Sequence, residues 1–145
     1  KGQEYIVELE NLVDKDTEAF NAILDSFRIN ANSKKEQEIK EEAIRAATLN
    51  AIEIPLKIMQ TSLESMSLIK TLVVKGNPNS VSDAGVAALC ARSAVIGGYL
   101  NVIINAKDYK DTEEVRKILK QAKNIKKEAI NQEKQILKKT LSKIE

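Results

Sequence analysis

AGVAALCARSAVIGGYLNVIINA, residues 84–106, is the stretch on which the fold turns. It carries one charge, Arg92, and its apolar residues do not keep to one side of a helical repeat. Val86, Leu89, Val95, Ile96, Leu100, Val102, Ile103 and Ile104 fall nearly all the way round, so this helix needs neighbours on most sides and is expected to lie centrally. A membrane span is the weaker reading, because Arg92 sits mid-segment, Asn101 and Asn105 follow, and the flanking sequence is charged and helix-periodic. No membrane partner is expected.

Working outward, three further helices surround that segment. Upstream, Ile6, Leu9, Val13, Phe20, Ile23 and Phe27 repeat at intervals of three and four, which gives a helix from about residue 3 to about 28. After the polar break Asn30-Ala31-Asn32-Ser33, the stretch Ser33-Lys34-Lys35-Glu36 is a capping box. It opens a second helix that runs to about Lys75 through Ile39, Ala43, Ala47, Ala51, Ile54, Ile58, Met66 and Ile69. Pro55 lies inside it and withholds one backbone bond, and Gly76 stands at its C-terminal stop. Asn77 to Asp83 is the only sustained irregular stretch, with Ser80 and Asp83 spaced as a second cap for the third helix, about 82–107. Downstream, Asp111-Thr112-Glu113-Glu114 caps a last helix whose stripe is Val115, Ile118, Leu119, Ala122, Ile125, Ala129, Ile136 and Thr140. Its outer lysines read as a solvated face.

Composition agrees. With 145 residues, 3% aromatics, five glycines and two prolines, the chain reads as one all-α domain: an antiparallel bundle of long helices with the third helix central. A net charge of +2 gives no general reason to expect nucleic acid. The single cysteine, Cys90, excludes an internal disulfide, fits a reducing, cytoplasmic setting, and reads as a small buried hydrophobe. No metal site is expected, since there is no His, one Cys and no carboxylate cluster with ligand spacing. The chain has no initiator Met and starts inside a helical pattern, so a preceding segment is expected. Long helices with one small-residue helix cannot easily hide their apolar surface alone, so a homodimer or larger homo-oligomer is expected.

The chemistry is concentrated in polar residues at apolar places. Asp16 completes the stripe of the first helix where a leucine would serve, and a carboxylate there must be paired, hydrogen-bonded or protonated. Without histidine, acid–base work near neutrality falls to groups such as this one. Arg92 is a natural structural partner for it. On the third helix, positions 83, 87, 90, 94, 97, 101, 105 and 108 share a face and read Asp, Ala, Cys, Ala, Gly, Asn, Asn, Asp: small in the middle, polar at the ends. Glycines such as Gly97 and Gly98 each cost a helix roughly 1 kcal/mol against alanine. Close helix approach and close approach of a flat ligand both offset that, and the sequence leaves both open.

Three segments carry a family resemblance: LVDKDTEAF at 12–20, GNPNSVSDAGVAA at 76–88 and GGYLNVIINAKDYKD at 97–111. Their order and spacing resemble the cyclodeaminase domain of formiminotransferase-cyclodeaminase and the stand-alone methenyltetrahydrofolate cyclohydrolases. The resemblance implies a catalytic role for Asp16 and substrate contacts for Asn77, Ser82, Asp83, Asn101 and Asn105. It implies a tetrahydrofolate substrate and no separate cofactor or metal. It further implies formimidoyltetrahydrofolate cyclodeaminase activity, with cyclohydrolase activity as the alternative. Val13, Ala19 and Phe20 would form an apolar wall beside Asp16. The family's Pro-Gly-Gly-Gly-Ser segment is not in this sequence, so a leading helical segment is expected to be missing. The competing class is a non-enzymatic helical oligomerisation module, in which the same polar residues would only set register.

Overall fold

The computed structural model describes residues 1–145 as four α-helices: α1 (Gly2–Arg28), α2 (Lys34–Lys75), α3 (Val81–Asn105) and α4 (Glu113–Ile144). A 3-10 turn, Pro78–Ser80, leads into α3. The expected boundaries hold to within two or three residues because the stops are local chemistry. The Ser33 box is complete: its hydroxyl accepts from the Glu36 N–H at 3.3 Å, and the Glu36 carboxylate accepts from the Asn32 and Ser33 N–H groups at 2.8 and 2.9 Å.

Three local readings are corrected. Ser80 makes no side-chain cap; Asn77 instead accepts from the Asn79 N–H and Pro78 starts the turn that winds into α3. Thr112 alone caps α4, accepting from the Val115 N–H at 3.4 Å, with no returning glutamate. Gly76 has φ −76°, not the left-handed conformation of the usual helix stop. A side chain there would collide with the Leu72 carbonyl oxygen, so the position needs glycine for space.

The helices run up-down-up-down. Lys57 pairs with Glu8 at 3.2 Å and Lys40 Nζ donates to the Ile29 carbonyl at 2.8 Å, which lays α1 antiparallel to α2. Arg92 meets Glu133, and the Lys126 ammonium sits 3.9 Å from the centre of the Tyr99 ring, so α3 and α4 are antiparallel. Lys143 Nζ reaches the Val74 carbonyl at 3.1 Å, which fixes α4 parallel to α2. Helices α2, α3 and α4 enclose the main core, including Ile52, Met59, Met66, Val95, Val102, Ala122 and Ile136. A smaller cluster, Leu12, Ala19, Ala51 and Ile54, joins α1 to α2 alone.

Helix α3 lies against both α2 and α4, through Val81, Ala84, Gly85, Ala88, Val95, Gly98 and Val102. Its other side is uncovered: Val86, Leu89, Leu100, Ile103 and Ile104 are exposed. The stretch 78–105 is long and apolar enough to cross a membrane by length and composition, with mean hydropathy 1.6 over an 18-residue window. Within the chain, α2 packs against all three other helices. The α1 stripe is likewise divided. Leu9, Leu12, Ala19 and Ile23 face α2, while Ile6, Val13, Phe20 and Phe27 are exposed. Cys90 is exposed as well, contrary to its reading as a buried hydrophobe, because it lies on the uncovered side of α3.

Candidate functional site

Asp16 follows Leu12 by one turn and precedes Ala19 by three residues, so it rides on the shoulder of the α1–α2 seam. There it is half-buried and lines a cleft of about 350 Å³ together with Thr17, Phe20 and Ile23 of α1, Ala51 of α2, and Asn101 and Asn105 of α3. The cleft's size is that of a small-molecule site. Asp16 takes part in none of the six ion pairs. Arg92, its expected partner, lies on the α4 side of α3 and sits 3.7 Å from the largely buried Glu133 instead. The apolar wall also differs from expectation. Val13 is 64% exposed and Ala19 is buried against α2, so Phe20 and Ile23 flank the carboxylate.

Asn105 is held by an unusual bond. Its Nδ2 donates to the Ala51 carbonyl at 2.8 Å. In an unbroken helix that carbonyl would receive the N–H of residue 55, but residue 55 is proline and has none. The side chain of α3 thus fills a vacancy in the ladder of α2. A carbonyl oxygen only accepts, so the atom facing it is the amide nitrogen, and Oδ1 is the half of the amide left over as an acceptor. Asn101, one turn earlier, lines the same cleft with an exposed side chain.

The adjacent glycines separate by role. A Cβ on Gly98 would lie 2.7 Å from Met59 Cγ and 3.0 Å from the Pro55 carbonyl oxygen, so Gly98 is the contact at which α3 meets α2. A Cβ on Gly97 would meet nothing within 4 Å. Of the two explanations for the pair, close helix approach accounts for Gly98 and open space remains at Gly97.

Asp16, Asn101 and Asn105 are therefore brought together, and Asn77, Ser82 and Asp83 are not. The latter three are exposed at the opposite end of α3. The eighteen residues from Asp83 to Asn101 span about 27 Å of helix. Asn77 is already engaged in its turn with Asn79. Sequence reasoning missed Thr17, Ile23 and Ala51 as lining residues. The signal for Ala51 was readable, since a proline four residues on always leaves a carbonyl free, but the sequence does not say which group fills it.

The chain is thus an all-helical bundle in which a carboxylate and two carboxamides line one cleft. The family model described as formiminotransferase-cyclodeaminase matches residues 1–124, and the chain belongs to that family. It is 34% identical over 104 residues to the formimidoyltransferase-cyclodeaminase of Mus musculus, covering 72% of this chain and 19% of that protein. The Rattus norvegicus protein of the same name gives 34% over 104 residues with the same coverage. The methenyltetrahydrofolate cyclohydrolase of Methylorubrum extorquens is 31% identical over 121 residues, covering 83% of this chain and 58% of that protein. The chain thus spans 19% of the length of the two mammalian relatives and 58% of the bacterial one.

Proposed function

We propose that the cleft binds tetrahydrofolate carrying a one-carbon unit, and that Asp16 moves the proton in formimidoyltetrahydrofolate cyclodeamination. The observation that carries this reading is the meeting of Asp16, Asn101 and Asn105 in one cleft from two helices. In the reaction N10 attacks the protonated formimidoyl carbon on N5, forming a tetrahedral carbon. Asp16 takes the proton from N10 and passes it to the departing nitrogen, which leaves as ammonia. The 5,10-methenyl bridge retains the positive charge. A carboxylate with no fixed cation beside it can accept and return a proton in this way. The pteridine presents amide-like donors and acceptors to Asn101 and Asn105.

The second reading is the cyclohydrolase reaction, favoured by the match to the Methylorubrum extorquens cyclohydrolase over 83% of this chain, against 72% for the Mus musculus protein. There water adds to the methenyl carbon. Asp16 takes one proton of that water and returns one to N5 as the C–N5 bond breaks, leaving the 10-formyl product and one proton in solution.

The same site is proposed to be completed by a second copy of the chain. Uncovered apolar side chains on α1 and α3, from Ile103 at 39% to Val13 at 64% exposed, form the kind of face that marks an interface. Two α3 helices crossing antiparallel near Ala94 would place Asp83 of one against Asn105 of the other. Ala94 is equidistant from the two in sequence, and Cys90 and Ala94 are small enough for close approach.

Asp16→Asn keeps the side chain's shape and removes its proton-carrying capacity. It is expected to lower turnover by roughly a hundredfold or more while leaving helicity intact. Ammonia release from the formimidoyl substrate and absorbance loss from the methenyl substrate, run side by side, identify the reaction. Near-wild-type turnover of both would remove Asp16 from the chemistry.

A further inference from the structure

We infer that Pro55, which lies outside the cleft, is a positioning residue of the site and acts through Asn105. Proline in the interior of α2 has a cost: it withholds a ladder bond and strains the turn before it. Here the carbonyl it orphans, on Ala51, is not left to solvent. Ala51 is buried, and the Asn105 amide spans from the neighbouring helix to satisfy it. The two helices are clamped at the same level, because Gly98 lets α3 come down onto the Pro55 carbonyl and Met59, and Asn105 follows Gly98 by two turns on that face.

The consequence is chemical. A free asparagine on a cleft wall can turn either end to a ligand, and so reads donors and acceptors alike. Donating one N–H of Nδ2 to Ala51 stops the Asn105 amide from flipping, so Oδ1 is held in one place as an acceptor matched to a ring N–H, and the second N–H of Nδ2 is held in another. Asp16, the carboxylate of the cleft, then receives the reacting proton, while Asn101 keeps both options. Pro55 thereby sets the hydrogen-bond polarity of one wall without touching the ligand.

The assignment of the N–H to a reduced pteridine rests on the tetrahydrofolate reading, so the experiment separates the two. Pro55→Ala returns an N–H to the ladder at Ala51, where it competes with the Asn105 amide, and alanine is at home in a helix interior. In 15N spectra of the intact chain the Asn105 side-chain proton that faces Ala51 is expected to be protected from exchange and to lose that protection in Pro55→Ala. Persisting protection would overturn the positioning role, whatever the ligand.

With a folate analogue as probe, Pro55→Ala is expected to bind roughly tenfold more weakly, as for one lost hydrogen bond. Asn105→Ala should bind as weakly, and the double variant no more weakly than either, since both remove the same contact. Additive losses would overturn the inference. If the wild-type chain bound no folate analogue while the exchange result held, the tetrahydrofolate reading would fail and the coupling of Pro55 to Asn105 would stand.

Discussion

Gly97 and Gly98 carry the same side chain and opposite consequences. A methyl on Gly98 must push against Met59 and a backbone carbonyl, whereas one on Gly97 enters open space. Gly98→Ala is therefore expected to destabilise by about 1–3 kcal/mol of overpacking, only partly offset by about 1 kcal/mol of helix propensity. Gly97→Ala is expected to stabilise by up to that same ~1 kcal/mol. Thermal melts of the two variants should move in opposite directions, and a common direction would refute the assignment. The larger change Gly97→Leu should leave the chain folded and weaken folate binding, because the residue faces the side that carries Asn101. Asp16 teaches the complementary lesson at this scale. Its anomaly was visible as a break in a 3-4 repeat, but Arg92, the partner that the sequence offered it, faces another helix and meets Glu133.

Among the helices, the N-terminus of α2 is the best-defined start, and it titrates. The Asn32 N–H, then the Ser33 N–H and hydroxyl, hold the Glu36 carboxyl below its ordinary value of 4.5. A depressed carboxyl contributes its stability in full above the unfolded value. That contribution is lost as the pH falls through the lower folded value. Glu36→Gln is expected to melt slightly earlier than wild type at neutral pH, with the gap closing well below pH 4.5. An unchanging gap across that range would mean that the carboxylate's charge plays no part in the cap. Boundaries such as this one were legible because a cap is built from residues three apart. The start of α3 was misread for the same reason: Ser80 and Asp83 have the right spacing, yet the Pro78 turn had already taken the role.

For the molecule as a whole, the uncovered faces of α1 and α3 meet at the cleft, where Phe20 and Asn101 line the same space. So much aliphatic surface on one side of a 145-residue chain is expected to be covered by a second copy. Sedimentation equilibrium should find a dimer at micromolar concentration, and Leu100→Glu should dissociate it with folate affinity falling in parallel. A compact wild-type monomer at that concentration would contradict the shared site and leave Asn77, Ser82 and Asp83 without a part in it.

The sequence by itself determined the helices, their order, most of the inward stripe of α4, and the anomaly at Asp16. Each of these is written in a period or a cap that a single helix realises alone. A helix fixes the rotation of its own residues and says nothing of which neighbour they meet. Only the tertiary structure decided that α3 is covered on one side, that Gly98 and not Gly97 is the contact, and that Asp16 shares a cleft with Asn101 and Asn105 but not with Asp83. The bond from Asn105 to Ala51 joins residues 54 apart. The vacancy it fills was present in the sequence at Pro55, and the group that fills it was set by how closely α3 could approach α2.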